Sequence, residues 1–243
     1  MLNDLAIVIP VRDERGTLGE LLSELARTPI GAAEVVVVDD GSVDGSGDVA
    51  RAMGVSVVRH AEGRGYGASL KTGLSVTSSR HVAIIDADGT YAPGDLPALL
   101  RALPPGGMVV GARSTEHSLP RRLGKRLFCL QVRLLTGHRV ADLNSGLRIF
   151  DRRLAERLTP MLPERFSFTT TLTLGALATE TPVKFVPVAY RQRAKGRSKF
   201  LPLDAWRFAR TVTRGCGWIR GRSLAGALPA GRPSIARVPS TTL

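Results

Sequence analysis

The sequence predicts an α/β protein with a mostly parallel sheet covered by helices on both faces. Three observations carry that prediction. Short apolar, β-branched runs recur through residues 1–100, segments with the apolar spacing of a helix separate them, and two runs end in paired aspartates. At 243 residues, with 43% hydrophobic and 23% charged side chains, the chain can bury a sizeable core. General disorder and a disulfide scaffold are excluded. One domain is expected over 1–200, followed by a basic amphipathic helix over 201–220 and a disordered tail over 221–243.

Leu5 to Pro10 (LAIVIP) is an apolar run closed by proline and reads as a buried strand. Leu18, Leu21, Leu22 and Leu25 then mark one face of a helix over Thr17 to Ala26. Glu34 to Asp39 (EVVVVD) is a second buried strand, and Ser46 to Met53 a short helix. Val55 to Arg59 is a third strand, followed by a glycine-rich turn and a helix from Ala68 to Val76. His81 to Asp86 (HVAIID) is the fourth strand. Alternating units of this kind place ligands beyond the carboxyl ends of the strands.

Two strands end in carboxylates, at Asp39-Asp40-Gly41-Ser42 and Asp86-Ala87-Asp88-Gly89. Asp, Gly and Ser favour turns by themselves, but two such pairs at equivalent strand ends point to one site. Alternate aspartates leaving a strand can reach a single hard cation, Mg²⁺ or Mn²⁺, that bridges to phosphate oxygens. Gly63-Arg-Gly-Tyr-Gly67 precedes a helix and is positioned to bring backbone near a phosphate, with Gly65 at its centre. It is not GxGxxG, and no GxxxxGK[ST] occurs, which argues against a dinucleotide dehydrogenase and a P-loop nucleotidase.

The net charge of +13 is unevenly spread: residues 1–100 carry −6 and residues 101–243 carry +19. The basic half calls for a polyanionic partner: nucleic acid, an anionic membrane surface or phosphorylated substrates. A nucleic-acid binder would explain that charge but not the aspartate pairs, and only 5% of residues are aromatic. No nucleic-acid partner is expected. The two cysteines, Cys129 and Cys216, form no metal-ligand spacing and fit a reducing compartment. No apolar run approaches membrane-spanning length, and the N-terminal MLNDLAIVIP lacks a basic leader. The expected location is the cytosol or the cytosolic face of a membrane.

The segments IVIPVRDE (7–14), VVVVDDGSVDGS (35–46), GRGYGASLKTG (63–73), IIDADGTY (84–91), DLNSGLRIF (142–150), FSFTTTLTL (166–174) and VPVAYRQRAKGRSK (186–199) occur in one order. Together they resemble GT-A-fold inverting glycosyltransferases, most closely the polyprenyl-phosphate branch typified by dolichyl-phosphate mannose synthase. The resemblance covers about residues 5–200. It implies that Pro10, Val11 and Glu14 line a nucleotide pocket and that Asp39 and Asp40 hold base and ribose. Asp86 and Asp88 match the DxD element that binds the metal on the donor diphosphate. Thr90 stands where some relatives place a third ligand. Arg193, Gly196, Ser198 and Lys199 match a loop near the donor diphosphate and acceptor phosphate; Asp142, Ser145 and Arg148 match the acceptor side. Asp88, Arg148, Arg193 and Lys199 are the expected catalytic residues, and a polyprenyl phosphate the expected acceptor. A soluble acceptor, or a non-catalytic scaffold on the same fold, are the alternatives.

From Arg121 to Thr136, Leu123, Leu127, Leu130 and Leu134 share one helix face beside Arg122, Arg126 and Arg133. From Leu203 to Ile219, Ala205, Phe208, Val212, Cys216 and Ile219 fall on a narrow arc opposite Arg207, Arg210 and Arg214, with Trp206 and Trp218 nearby. Both segments have the layout of helices at a lipid interface. Peripheral membrane contact, or a membrane-anchored partner subunit, is therefore expected.

Overall fold

The computed structural model describes residues 4–114, 119–165, 167–191 and 210–218, with residues 119–122 described by backbone only. Arg193, Ser198, Lys199 and the expected tail over 221–243 lie outside the described residues. The elements run β1 (Leu5–Val11), α1 (Arg15–Ala26), β2 (Glu34–Asp39), α2 (Ser46–Ala52), β3 (Ser56–Arg59), α3 (Tyr66–Val76) and β4 (His81–Ile84). They continue with α4 (Leu96–Ala102), β5 (Met108–Arg113), α5 (Leu119–Thr136), β6 (Arg148–Asp151), α6 (Arg152–Leu158), α7 (Phe168–Ala178) and β7 (Val183–Val188). Residues 210–218 form a further helical segment.

The strands form one seven-stranded sheet in the order β3-β2-β1-β4-β6-β5-β7. All pairs are parallel except those of β6, which runs against both β4 and β5. The four strands expected from the apolar runs are present, and the sheet has helices on both faces as predicted. Successive residues of β1 feed the two layers. Ile7, Ile9 and Val11 join Leu18, Leu21, Leu22 and Leu25 of α1 on one side, while Val8 joins Leu70 and Leu74 of α3 and Phe168 and Leu172 of α7 on the other. A glycine at 73 lets α3 close on the sheet: a Cβ there would stand 2.3 Å from Cγ1 of Val8.

A third apolar cluster joins Val132 of α5, Val140, Leu143 and Leu174 of α7 to Val212 and Cys216. This corrects the expectation for the second basic segment. Within its described part, the apolar arc is buried against α5 and α7 and is not free to meet lipid. Arg210 and Arg214 face outward. Among the described residues no helix is long and apolar enough to cross a membrane.

Candidate active site

From β1 the sheet grows through β2 and β3 on one side and β4 on the other. Connections therefore diverge at the carboxyl ends of β1 and β4, the place where an open α/β sheet leaves a crevice. Pro10 is half-buried and Val11 buried at the end of β1. The turn that follows is knitted to the loop after β2. The N–H of Asp13 donates to Oγ of Ser42 (3.1 Å), that of Glu14 to Oγ of Ser46 (2.9 Å), and that of Arg15 to Oδ2 of Asp44 (2.9 Å). Thr17, one turn into α1, donates its hydroxyl to the carbonyl of Ala87 (2.7 Å) and so fastens the β1 turn to the Asp86–Asp88 turn.

The two aspartates after β2 differ in what they have left to offer. Asp39 is buried; Oδ1 accepts from the N–H of Ser42 at 2.8 Å, and Oδ2 has no hydrogen-bond partner among the described residues. The Arg59 guanidinium stands 3.7 Å away. That oxygen is itself buried beside Arg59, so the structure does not display the base or ribose contact implied for Asp39. Asp40 is fully engaged. It accepts from the N–H groups of Arg64 (2.8 Å) and Gly65 (2.9 Å) and pairs with Nδ1 of His60 (2.8 Å), whose Nε2 meets Oγ1 of Thr72 (2.9 Å). Burial works against its charge, but the His60 and backbone hydrogen bonds outweigh it and hold the carboxyl below its ordinary range. In this arrangement Asp40 shapes the glycine loop rather than presenting itself to base or ribose.

The same bonds answer the expectation for Gly65. Its N–H is spent on Asp40, and those of Gly67 and Ala68 go to the carbonyls of Arg165 and Glu164. The N–H groups of Gly67 and Ala68 in the first turn of α3 are thus capped by the 163–165 segment. Glycine stands at 65 and 67 because that segment packs there: a Cβ on Gly67 would lie 2.0 Å from the carbonyl oxygen of Pro163.

Asp86 and Asp88 leave β4 on one turn. Oδ1 of Asp86 accepts from the hydroxyl of Tyr66 at 2.9 Å, and Oδ2 lies against Gly146, where a Cβ would come within 1.8 Å. Burial first, and then repulsion from Asp88, raise Asp86 to about 7. Asp88 is half-exposed, and its Oδ1 accepts from both the N–H (3.1 Å) and hydroxyl (2.6 Å) of Thr90. Thr90 is buried and orients Asp88 rather than standing free as a third ligand. No group of three or more His, Cys, Asp or Glu side chains suited to a metal exists among the described residues. A cation here would hold two protein carboxylates and take its other ligands from elsewhere.

The 142–148 segment walls the far side. Asp142 is buried and bound by Arg113 through Nε (2.7 Å) and Nη2 (2.9 Å), with Nζ of Lys125 at 3.3 Å. Arg113 also covers the ring of Tyr190 at 5.3 Å, and Tyr190 meets the edge of Tyr91 at 5.4 Å. The Tyr91 hydroxyl accepts from the N–H of Gly146 and lies 3.1 Å from Oγ of Ser145. Arg148, expected as catalytic, is 0% exposed. Its guanidinium donates to the carbonyls of Ser145 and Thr169 and to Oγ1 of Thr173, so its hydrogens are consumed inside the wall. Placed so, it holds the 145–148 turn to α7 and does not face the crevice.

The chain beyond β7 returns to the crevice. The N–H of Arg191 donates to the carbonyl of Thr90 at 2.9 Å, and its guanidinium meets Glu24 at 3.4 Å. Arg193 follows two positions later in sequence. The structure thus brings together the ends of β1, β2 and β4, the 142–148 wall and the chain that leads toward Arg193. It adds Tyr66, Tyr91, Arg113 and Gly146, which sequence reasoning did not single out. Tyr66 and Tyr91 lie inside quoted motifs, so the signal was their aromatic identity where backbone motifs were being read.

This crevice, with paired carboxylates on one strand end, is that of a GT-A glycosyltransferase. The chain belongs to glycosyl transferase family 2, whose model matches residues 6–159. It is 32% identical over 205 residues to a dolichyl-phosphate hexose transferase of Haloferax volcanii, covering 82% of this chain and 88% of that one. It is 34% identical over 206 residues to an undecaprenyl-phosphate 4-deoxy-4-formamido-L-arabinose transferase of Pseudomonas aeruginosa, covering 80% of this chain and 60% of the relative. A glucosyl-3-phosphoglycerate synthase of Mycobacterium tuberculosis, solved with Mn²⁺, UDP and its product, shares the fold at a TM-score of 0.72 and 22% identity. That match covers 88% of this chain and 80% of the other.

Proposed function

We propose that this protein is an inverting, divalent-metal-dependent hexosyltransferase. It moves a sugar from a nucleotide donor, GDP-mannose or a UDP-sugar, to a polyprenyl phosphate (dolichyl or undecaprenyl) at the cytosolic face of a membrane. One observation carries the reading: Asp86 and Asp88 stand together at the switch point of the sheet, and no Lys or Arg side chain forms an ion pair with Asp86 among the described residues. Two hard oxygen donors on one turn, whose burial and mutual repulsion leave Asp86 raised in spite of Tyr66, Arg148 and Arg113, fit Mg²⁺ or Mn²⁺. Such a cation, when bound, neutralises the charge that develops on a departing nucleoside diphosphate.

The chain's own residues do the rest. Pro10, Val11, Glu14 and Asp39 receive the nucleoside. Tyr66 and Thr90 fix the two carboxylates, and the Asp142–Arg148 wall closes the acceptor side. Arg193, Ser198 and Lys199 supply donors to the diphosphate and to the incoming phosphate. The acceptor oxygen attacks the anomeric carbon opposite the diphosphate, whose C–O bond breaks, so the configuration inverts. A phosphate monoester is already anionic at neutral pH, and no strong general base is required. The 32% identity to a dolichyl-phosphate transferase supports the lipid acceptor.

The test is donor consumption by the purified full chain with Mg²⁺ or Mn²⁺. A panel of UDP- and GDP-sugars is run with and without a short-chain polyprenyl phosphate. Sugar should appear on the lipid, and Asp88→Ala should lower transfer by on the order of a hundredfold or more while the fold persists. Donor binding with no lipid product would instead direct the search to a soluble acceptor or a membrane-anchored partner subunit.

A further inference from the structure

Helix α5 has two apolar faces, and among the described residues only one is buried. At about 100° per residue, Leu123, Leu127, Leu130 and Leu134 occupy an arc of about 60°, with Val132 about 180° away. Val132 is 0% exposed and packs with Leu143 and Leu174, helped by the half-buried Phe128, Cys129 and Leu135. The four leucines remain 54%, 63%, 47% and 74% exposed. Arg126 and Arg133 are exposed on one flank of the stripe. A stripe of large apolar side chains left in water, on a helix that already has a buried face, calls for an occupant.

We propose that this face of α5 lies on an anionic lipid surface, with the leucines at the acyl boundary and Arg126 and Arg133 at the head groups. The charge favours lipid over protein. A second copy packed antiparallel would set the same arginines side by side across a two-fold axis. Four leucines in single file also fall short of the roughly 800 Å² per partner of a standard stable interface. An amphipathic helix in a bilayer surface needs only this: a narrow apolar stripe flanked by cations whose stems reach the head groups.

The other side of the helix connects this surface to the crevice. Nζ of Lys125 donates to the carbonyl of Arg113 at 2.7 Å and lies 3.3 Å from Asp142. Docking α5 therefore sets the carboxyl end of β5 and the 142–148 wall close to the bilayer. That last consequence rests on the proposed lipid acceptor; the lipid binding itself does not.

The experiment is co-sedimentation of the full chain with sucrose-loaded vesicles, without donor or acceptor. Phosphatidylcholine alone is compared with phosphatidylcholine containing phosphatidylglycerol. The wild type should pellet with the anionic vesicles and release at high salt. The double variant Leu127→Glu/Leu130→Glu should lose about tenfold or more of that partition. Arg126→Gln/Arg133→Gln should lose a similar factor and much of the salt dependence. Both variants should keep the wild-type thermal midpoint and nucleotide affinity, which separates loss of docking from loss of folding. The proposal falls if the wild type ignores anionic vesicles or if the leucine variant pellets like the wild type. It also falls if sedimentation velocity shows a dimer that the leucine variant dissociates. Because no transfer is measured, absence of lipid glycosylation would leave this result standing, and the converse holds too.

Discussion

The hydroxyl of Tyr66 donates to Oδ1 of Asp86 across 2.9 Å, joining the first residue of α3 to the turn after β4. Burial, and the negative charge of Asp86, push the Tyr66 phenol well above its usual range, so it stays a donor. The bond favours the charged carboxylate, against burial and the repulsion of Asp88 that raise it. Tyr66→Phe should therefore weaken Mn²⁺ binding in the presence of UDP by about tenfold near neutral pH. Removing the bond raises Asp86 further, so the gap should narrow as pH climbs and both proteins deprotonate. Calorimetric titration across pH measures this, and equal affinities at neutral pH would exclude the role.

Gly146 presses on the other oxygen of the same carboxylate. A methyl group there would sit 1.8 Å from Oδ2, so Gly146→Ala must turn Asp86 out of its place. The cost in stability should be about 1–3 kcal/mol. Metal affinity should fall by more than that of Tyr66→Phe. Thermal melts beside Mn²⁺ titration separate the two effects; alanine binding metal as glycine does would refute the contact.

Arg148 should matter for folding more than for chemistry. Its guanidinium serves the carbonyls of Ser145 and Thr169 and the hydroxyl of Thr173. Arg148→Met should cost roughly 3 kcal/mol by stranding those acceptors. Donor turnover per folded molecule, measured well below the lowered midpoint, should stay within a few-fold. A variant of normal stability with turnover collapsed would return Arg148 to the catalytic list.

Asp142 carries a pH signature. Burial opposes its charge, but the hydrogen bonds and charge of Arg113, with Lys125, outweigh it and keep the carboxyl below its ordinary range. A carboxylate lowered in the folded state contributes stability at pH above its unfolded value. That contribution is lost as pH falls through the folded value. Asp142→Asn should cost about 3 kcal/mol at neutral pH, because it leaves two cations facing an amide. Urea unfolding at stepped pH should show the two proteins converging below about pH 4; a constant gap would sink the argument.

Much of this was legible in the chain. Runs such as EVVVVD and HVAIID allow little besides buried strands, and Asp86-Ala-Asp88 after such a run already placed two carboxylates at one strand end. Illegible were the facts that depend on residues meeting across the fold. Asp39 and Asp40 are adjacent in sequence, yet one has a spare oxygen and the other is consumed by a loop more than twenty positions away. Arg148 sits in a motif, and nothing local reveals its cage of carbonyls from α7. The leucine stripe of α5 was visible as periodicity, but its exposure depends on Val132 taking the inward side.

The reversed direction of β6 governs where this protein can vary. Its first residue, Arg148, pairs with Ile84 at the carboxyl end of β4, so the strand begins where its neighbours finish. Along β1, β2 and β4 the working residues come after the strand; at β6 they come before it. Lengthening or recutting the stretch between Thr136 and Asp142, ahead of the locked 142–148 turn, would remodel the wall of the crevice. The same surgery beyond Asp151 would reach only the opposite rim. For anyone wishing to alter what this enzyme accepts, the scaffold marks one linker as adjustable and leaves the helix after it as foundation.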